Sequence, residues 1–321
     1  MEQQLVKYEN GKQLRKESGR LALGLIVYEI AMLLFYCLTL MVQIIVTAVQ
    51  KRDFSDAMFD KTLDFLIDNS GVGYLIAIPA GFFILYLIFR KLDTGSLFVS
   101  NQKMTIKHFF MLLSVFMATQ LVFSFAEEGG ERIFNLFGLS IKDATEQATS
   151  LSTTWSMFLY AGFLGPVVEE LIFRGFCLRT LQKHGKAFAI IVSAVLFGLF
   201  HMNLSQGIFA TAVGIVLGYV AMEYSIIWSM VLHMVNNCLF GDVLGYLLKP
   251  LPEKTQEGIW MAILIAFFIA GIVIIIRYHK KALSYFKKVQ SGKCRYLFLS
   301  VCTVIYFVLT IGATCLSITK L

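Results

Sequence analysis

The sequence predicts an all-α polytopic membrane protein of about eight to nine transmembrane helices enclosing a polar intramembrane cavity. Three observations carry this. Hydrophobic residues make up 57% of the 321-residue chain and charged residues only 15%, against about 25% charge in a soluble domain, and the mean hydropathy is +0.72. Long apolar runs are separated by short loops whose Lys/Arg content alternates. Inside one such run, Glu169, Glu170 and Arg174 fall within six residues, and each charge at membrane depth costs roughly 2.5–3.5 kcal/mol.

The runs follow in order. A polar N-terminus with Lys12, Arg15, Lys16 and Arg20 precedes a span at 21–49, which exceeds the hydrocarbon thickness and must tilt or emerge. A segment at 51–70 balances five aspartates against Lys51, Arg52 and Lys61, and a second span covers 72–89. Arg90, Lys91, Lys103 and Lys107 fill the next loop. The third span, 108–125, ends in Glu127-Glu128-Gly-Gly-Glu131, and a polar stretch reaches Thr154.

Further spans are expected at 155–181, 187–202, 207–222, 226–248 and 259–276, with a ninth ending near Ile318. Residues 1–154, 155–248 and 249–321 form N-terminal, central and C-terminal parts of one membrane domain. The positive-inside rule then gives a cytoplasmic N-terminus and, with nine spans, a C-terminus outside. The short turn at 203–206 also permits eight spans and a re-entrant piece. Gly207, Ala210, Gly214 and Gly218 present small residues for close helix packing.

The net charge of +7 sits between spans, where membrane orientation explains it and nucleic-acid binding is not implied. Six scattered cysteines contain no C-x-x-C pair, so neither a disulfide framework nor a zinc ribbon is indicated. No cleavable signal peptide is evident.

The polar residues at depth define the candidate site. Glu170 and Arg174 have the i, i+4 spacing of an intrahelical ion pair, while Glu169 turns to another face and has no local cation, which suits acid/base work. His201 is its expected partner. Counted from Lys183 and Lys186, Glu169 and His201 both lie about 21–22 Å along a helical hairpin, whereas His233 lies about 12 Å from Ser225. His233 and Asn237, again at i, i+4, are neutral hydrogen-bonding groups of the kind that line an oxyanion site. His108, His184 and His279 lie beside basic or interfacial residues and are expected to be solvated. Glu29 and Asp242 are ionisable within spans and have no evident partner.

Glu169-Glu170-x-x-x-Arg174, Phe197-x-x-x-His201 and His233-x-x-x-Asn237, in this order on successive spans, resemble the CAAX-processing and bacteriocin-processing (CPBP, or Abi) family of intramembrane endopeptidases. The resemblance covers about 155–248. It implies that Glu169 and His201 activate a hydrolytic water, that His233 and Asn237 stabilise the oxyanion, and that Glu170 and Arg174 support them. It also implies a membrane-associated peptide or protein substrate, prenylated or not, and a cavity entered from the cytosolic side.

A metal-free glutamate mechanism is expected. The alternative is a zinc site formed by Glu169, His201 and His233, although no His-Glu-x-x-His occurs. A serine elbow and the aspartyl Gly-x-Gly-Asp are also lacking. A non-catalytic membrane scaffold that confers immunity or regulates partners is the alternative function, and an ion-relay transporter a third. The lack of an organelle signal favours a bacterial plasma membrane.

Overall fold

The computed structural model describes residues 2–90, 98–142, 152–287 and 293–321, with residues 2–9 and 68 described as backbone only. Lys91 of the second basic loop, most of the polar stretch before Thr154 (143–151) and 288–292 of the basic loop near 277–295 lie outside the described residues.

The described chain is almost entirely helical: α1 (Glu2–Lys51), α2 (Asp56–Asp68), α3 (Gly71–Phe89), α4 (Ile106–Asn135), α5 (Trp155–His184), α6 (Lys186–Phe200), α7 (Leu204–Glu223), α8 (Ile226–Leu248), α9 (Glu253–Phe286), α10 (Cys294–Phe298) and α11 (Val301–Leu316). Seven of these, α1, α3, α4, α5, α7, α8 and α9, are long and apolar enough to cross a membrane. The apolar helices α6 and α11 have 15 and 16 residues, a reach of about 22–24 Å. Five helix starts are read directly by side chains: Ser55, Thr105, Thr154, Asn203 and Ser225 accept from the backbone N–H of Met58, His108, Met157, Gln206 and Trp228, satisfying donors that the first turn leaves without a partner.

Two expected loops are helical. The polar N-terminus continues α1 without a break, giving about 75 Å of helix, and its Asn10–Arg20 portion packs on α10, where Gly11 faces the Tyr296 ring. The aspartate-rich segment after α1 forms the amphipathic α2, with Met58 and Leu66 buried and Phe59 and Phe65 exposed. The acidic residues expected to follow the third span belong to the last turns of α4.

The helix ends segregate by charge as the alternation of Lys and Arg requires. At one end Glu17 of α1 meets Lys183 (2.5 Å) and His184 (2.8 Å), and Glu223 meets Lys186 (2.9 Å) and the Tyr285 hydroxyl (2.7 Å). His184 is therefore buried and bonded rather than solvated. At the other end the strands β1 (Leu139–Ser140) and β2 (Thr319–Lys320) pair antiparallel, and Glu131 accepts from Ser140 Oγ (2.8 Å) and Ile141 N (2.9 Å). The end of α4 and the C-terminal residues thus share one side.

The centre is the α5–α6–α7–α8 packing. Gly198 of α6 lies so close to Gly207 and Thr211 of α7 that a Cβ there would stand 2.4 Å from the Gly207 carbonyl oxygen. Gly214 and Gly218 continue the seam against Ala194 and Ile190, which is what small residues on a membrane helix face permit.

Candidate active site

Three stretches of wide π-helical turns surround the polar residues: Tyr160–Leu164 and Leu171–Cys177 in α5, and Val235–Val243 in α8. Such turns gather at functional sites because they re-aim side chains and release carbonyls from the α ladder. The Phe173 carbonyl receives Ser193 Oγ at 2.6 Å. Because a π turn takes up more residues, Glu169 lies nearer the basic end than α-helical counting gives, and His233 meets it despite their unequal counted depths.

Glu170 and Arg174 are both fully buried and pair at 2.9 Å. Arg174 Nη2 donates to the Gly214 carbonyl (3.2 Å), and its guanidinium lies 4.4 Å over the Phe197 ring, a cation–π contact strengthened by desolvation. The pair does more than neutralise itself. Glu170 Oε1 also accepts from His233 Nδ1 at 3.0 Å, and the Ser229 hydroxyl stands 2.5 Å from Glu170 Oε2 and 3.0 Å from the Leu217 carbonyl. With one proton to give, Ser229 donates to the charged acceptor.

His233 is 6% exposed and stands between both carboxylates, its Nε2 facing Glu169 Oε2 at 3.7 Å. That gap exceeds a direct hydrogen bond and suits a bridging water. Glu169 keeps 22% of its side chain exposed, whereas Glu170 keeps none. Adjacent in sequence, the two carboxylates therefore have different access and converge on one imidazole.

His201 ends α6. Its Nδ1–H donates back to the Phe197 carbonyl (2.8 Å), an orphan acceptor of the last turn, and this leaves Nε2 as the basic nitrogen. The turn that follows needs Met202 at a φ of 49°. The Phe197 ring lies edge-on to both His201 (4.8 Å) and His233 (5.9 Å), and Glu169 is an electrostatic neighbour of His201.

Of the six sequence-predicted residues, Glu169, Glu170, Arg174 and His233 share one connected cluster, and His201 borders it. Asn237 is tied elsewhere: its Nδ2 donates to the Ala161 carbonyl (3.2 Å) and its Oδ1 accepts from Asn236 (2.9 Å). It braces α8 on the π turn of α5 and makes no hydrogen bond to Glu169, His201 or His233. His201, the expected partner of Glu169, makes no hydrogen bond to it either, and the imidazole that stands 3.7 Å from the carboxylate is His233. Asp242 finds its partner in Ser152, accepting from its N–H (2.9 Å) and Oγ (3.1 Å), so it anchors the entry to α5. Glu29 Oε1 is buried without a partner.

Sequence reasoning missed Ser229, Tyr28 and Tyr160. Ser229 lies one helical turn before His233, and that i, i+4 spacing was the available signal. Tyr28 and Tyr160 are both electrostatic neighbours of Glu169, but no spacing or motif ties the first span, which carries Tyr28, to Glu169. Among the described residues no three His, Cys, Asp or Glu side chains are grouped to hold a metal ion, so Glu169, His201 and His233 do not form a ready zinc set here.

Comparisons with known proteins fall on this region. Residues 151–239 match the family model described as type II CAAX prenyl endopeptidase Rce1-like. A Bacillus subtilis (strain 168) protein named "Putative membrane peptidase YdiL" is 27% identical over 108 residues, a match that spans 32% of this chain and 44% of that protein's length. No solved structure matches the chain. The matched segment holds Glu169, Glu170, Arg174, His201, His233 and Asn237, so the similarity to the type II CAAX prenyl endopeptidases falls on the residues of the candidate site.

Proposed function

We propose that the protein is an intramembrane endopeptidase that hydrolyses a peptide bond of a membrane-associated peptide or protein with a water activated by Glu169. One observation carries the reading: a part-exposed carboxylate, Glu169, lies 3.7 Å from His233 Nε2, while the other nitrogen of that imidazole is held by the fully buried Glu170. An orienting carboxylate, an imidazole and a second carboxylate across a water-sized gap make an acid/base site. Electrostatic contacts there gain strength from the low dielectric.

In the proposed sequence, water held by Glu169 and the His201 Nε2 gives its proton to the carboxylate as its oxygen attacks the scissile carbonyl. His233, fixed at Nδ1 by Glu170, turns Nε2 to the oxyanion and donates to it when that nitrogen carries a proton. One amide hydrogen of Asn237 is taken by Ala161 and the second serves the same oxygen. Collapse of the tetrahedral intermediate breaks the C–N bond, and the proton on Glu169 passes to the leaving amine. No step requires a metal ion. The Bacillus relative supports a bacterial plasma membrane as the setting.

The test compares new peptide termini in cells carrying wild type and Glu169→Gln. Termini that vanish with the substitution, while the variant stays folded in detergent, are the expected result and identify the substrate. Wild-type-like cleavage by the variant sinks the reading. A phenotype that persists when Glu169 and His201 are both replaced points to the scaffold instead.

A further inference from the structure

Resting on that reading, the geometry points to a substrate-binding wall of four tyrosines, Tyr28, Tyr36, Tyr74 and Tyr160, which holds an extended peptide segment beside Glu169. The wall is built by α1, α3 and α5. The first two run antiparallel, and α3 presents glycines where α1 presents rings: a Cβ on Gly81 would stand 3.3 Å from the Tyr28 ring, and one on Gly73 would stand 2.6 Å from the Tyr36 ring. A side chain at Gly73 would displace the Tyr36 ring, and one at Gly81 would press the Tyr28 ring away by a few tenths of an ångström.

The Tyr74 ring then stacks between two others, 4.9 Å from Tyr36 and 4.6 Å from Tyr160. Tyr28 is 2% exposed, and the other three are half-buried. At the inner end, Tyr28 and Tyr160 both neighbour the Glu169 carboxylate. Tyr28 also lies 5.9 Å from the Phe200 ring, next to His201. The stack therefore leads from the α1–α3 seam to the proposed acid/base.

The hydroxyls identify the ligand chemistry. Among the described residues none of the four hydroxyls has a hydrogen-bond partner. A polar group without a partner is costly where lipid replaces water. The half-buried Tyr36, Tyr74 and Tyr160 can each donate to a peptide carbonyl while the ring packs on an apolar side chain, and the buried Tyr28 backs them from within. A helical substrate segment has its carbonyls already occupied. An extended segment leaves them open, and it also exposes the scissile bond.

The experiment uses the full-length protein. A peptide spanning a Glu169-dependent cut, found by the terminus comparison above, is synthesised and its steady-state kinetics are measured in lipid–detergent micelles. Enzymes are wild type, Tyr36→Phe/Tyr74→Phe, and Ile269→Ala on the exposed face of α9 as control. The phenylalanines keep the rings and stacking and remove only the hydroxyls. Each lost hydroxyl is expected to raise KM roughly 2–10-fold, with kcat nearly unchanged and the control like wild type. Unchanged KM in the double variant overturns the wall and leaves the endopeptidase reading standing. The absence of any Glu169-dependent terminus overturns both.

Discussion

The Nδ1 of His233 lies 3.0 Å from Oε1 of Glu170, the same oxygen that receives Arg174 Nη1 at 2.9 Å. A single buried carboxylate thus fixes an imidazole from α8 and a guanidinium from its own helix, and it couples the stability of the bundle to the aim of the proposed catalytic group.

Glu170→Gln should therefore cost more than a charge. It leaves Arg174 buried without its counter-ion, a loss of about 3–5 kcal/mol, and frees the His233 ring. The expected outcome is a clear fall in thermal stability together with loss of cleavage. Glu169→Gln should lose cleavage with stability close to wild type, since Glu169 is part-exposed and makes no short ion pair. Thermal unfolding of both variants in detergent checks the contrast, and equal stabilities would contradict it.

Ser229→Ala removes one donor from Glu170 and leaves the ion pair in place. A hydrogen bond to a charged group contributes roughly 1.5–3 kcal/mol, so stability should fall by that order. Activity should drop less than in Glu170→Gln, because His233 still has its anchor. A Ser229→Ala protein as inactive as Glu170→Gln would mean that the hydroxyl has a direct part in the chemistry.

Gly214→Val should disturb the site from a distance. A Cβ at this position stands 3.1 Å from Ala194 Cβ and 3.2 Å from Arg174 Nη2, so a branched side chain forces apart α6 and α7 or displaces the guanidinium. Overpacking of this kind costs about 1–3 kcal/mol. The expected readout is reduced stability with reduced turnover, and Gly258→Val, where nothing lies within 4 Å, serves as the neutral comparison.

Removal of metal ions separates the two chemistries open to the family residues. Cleavage of the substrate peptide should persist after dialysis against a zinc chelator. Inhibition that added zinc reverses would instead mean that Glu169, His201 and His233 close on an ion in the working enzyme.

Much of this was legible in the sequence, for physical reasons. Apolar run length and Lys/Arg alternation gave the helices and the grouping of their ends, and the i, i+4 spacing of Glu170 and Arg174 foretold a pair that the structure closes at 2.9 Å. What escaped depends on contacts between distant segments or on a helical period the pattern does not display. The His233–Glu170 bond spans 63 positions, and Asp242 reaches Ser152 across 90. The few polar residues in the π stretches, such as Arg174 and Asn237, are too sparse to mark a helical period, so the π turns leave no trace. The bond from the Asn237 amide to the Ala161 carbonyl spans 76 positions and is equally invisible to spacing.

The π turns of α5 and α8 make residue count as important as residue type. Each holds more residues than an α turn would over the same height, so loss of one residue within Leu171–Cys177 would let the helix tighten. The flanking turns would keep nearly their orientation, because an α stretch one residue shorter covers about the same rotation and height, but side chains within the stretch would change their spacing to those before it. Glu169 and Glu170 precede that stretch and Arg174 lies within it, so a deletion between them would shorten the Glu170–Arg174 spacing to i, i+3 and disturb the ion pair without changing any of the three. Tolerance to insertions and deletions should therefore map the working centre of this protein as sharply as substitutions do.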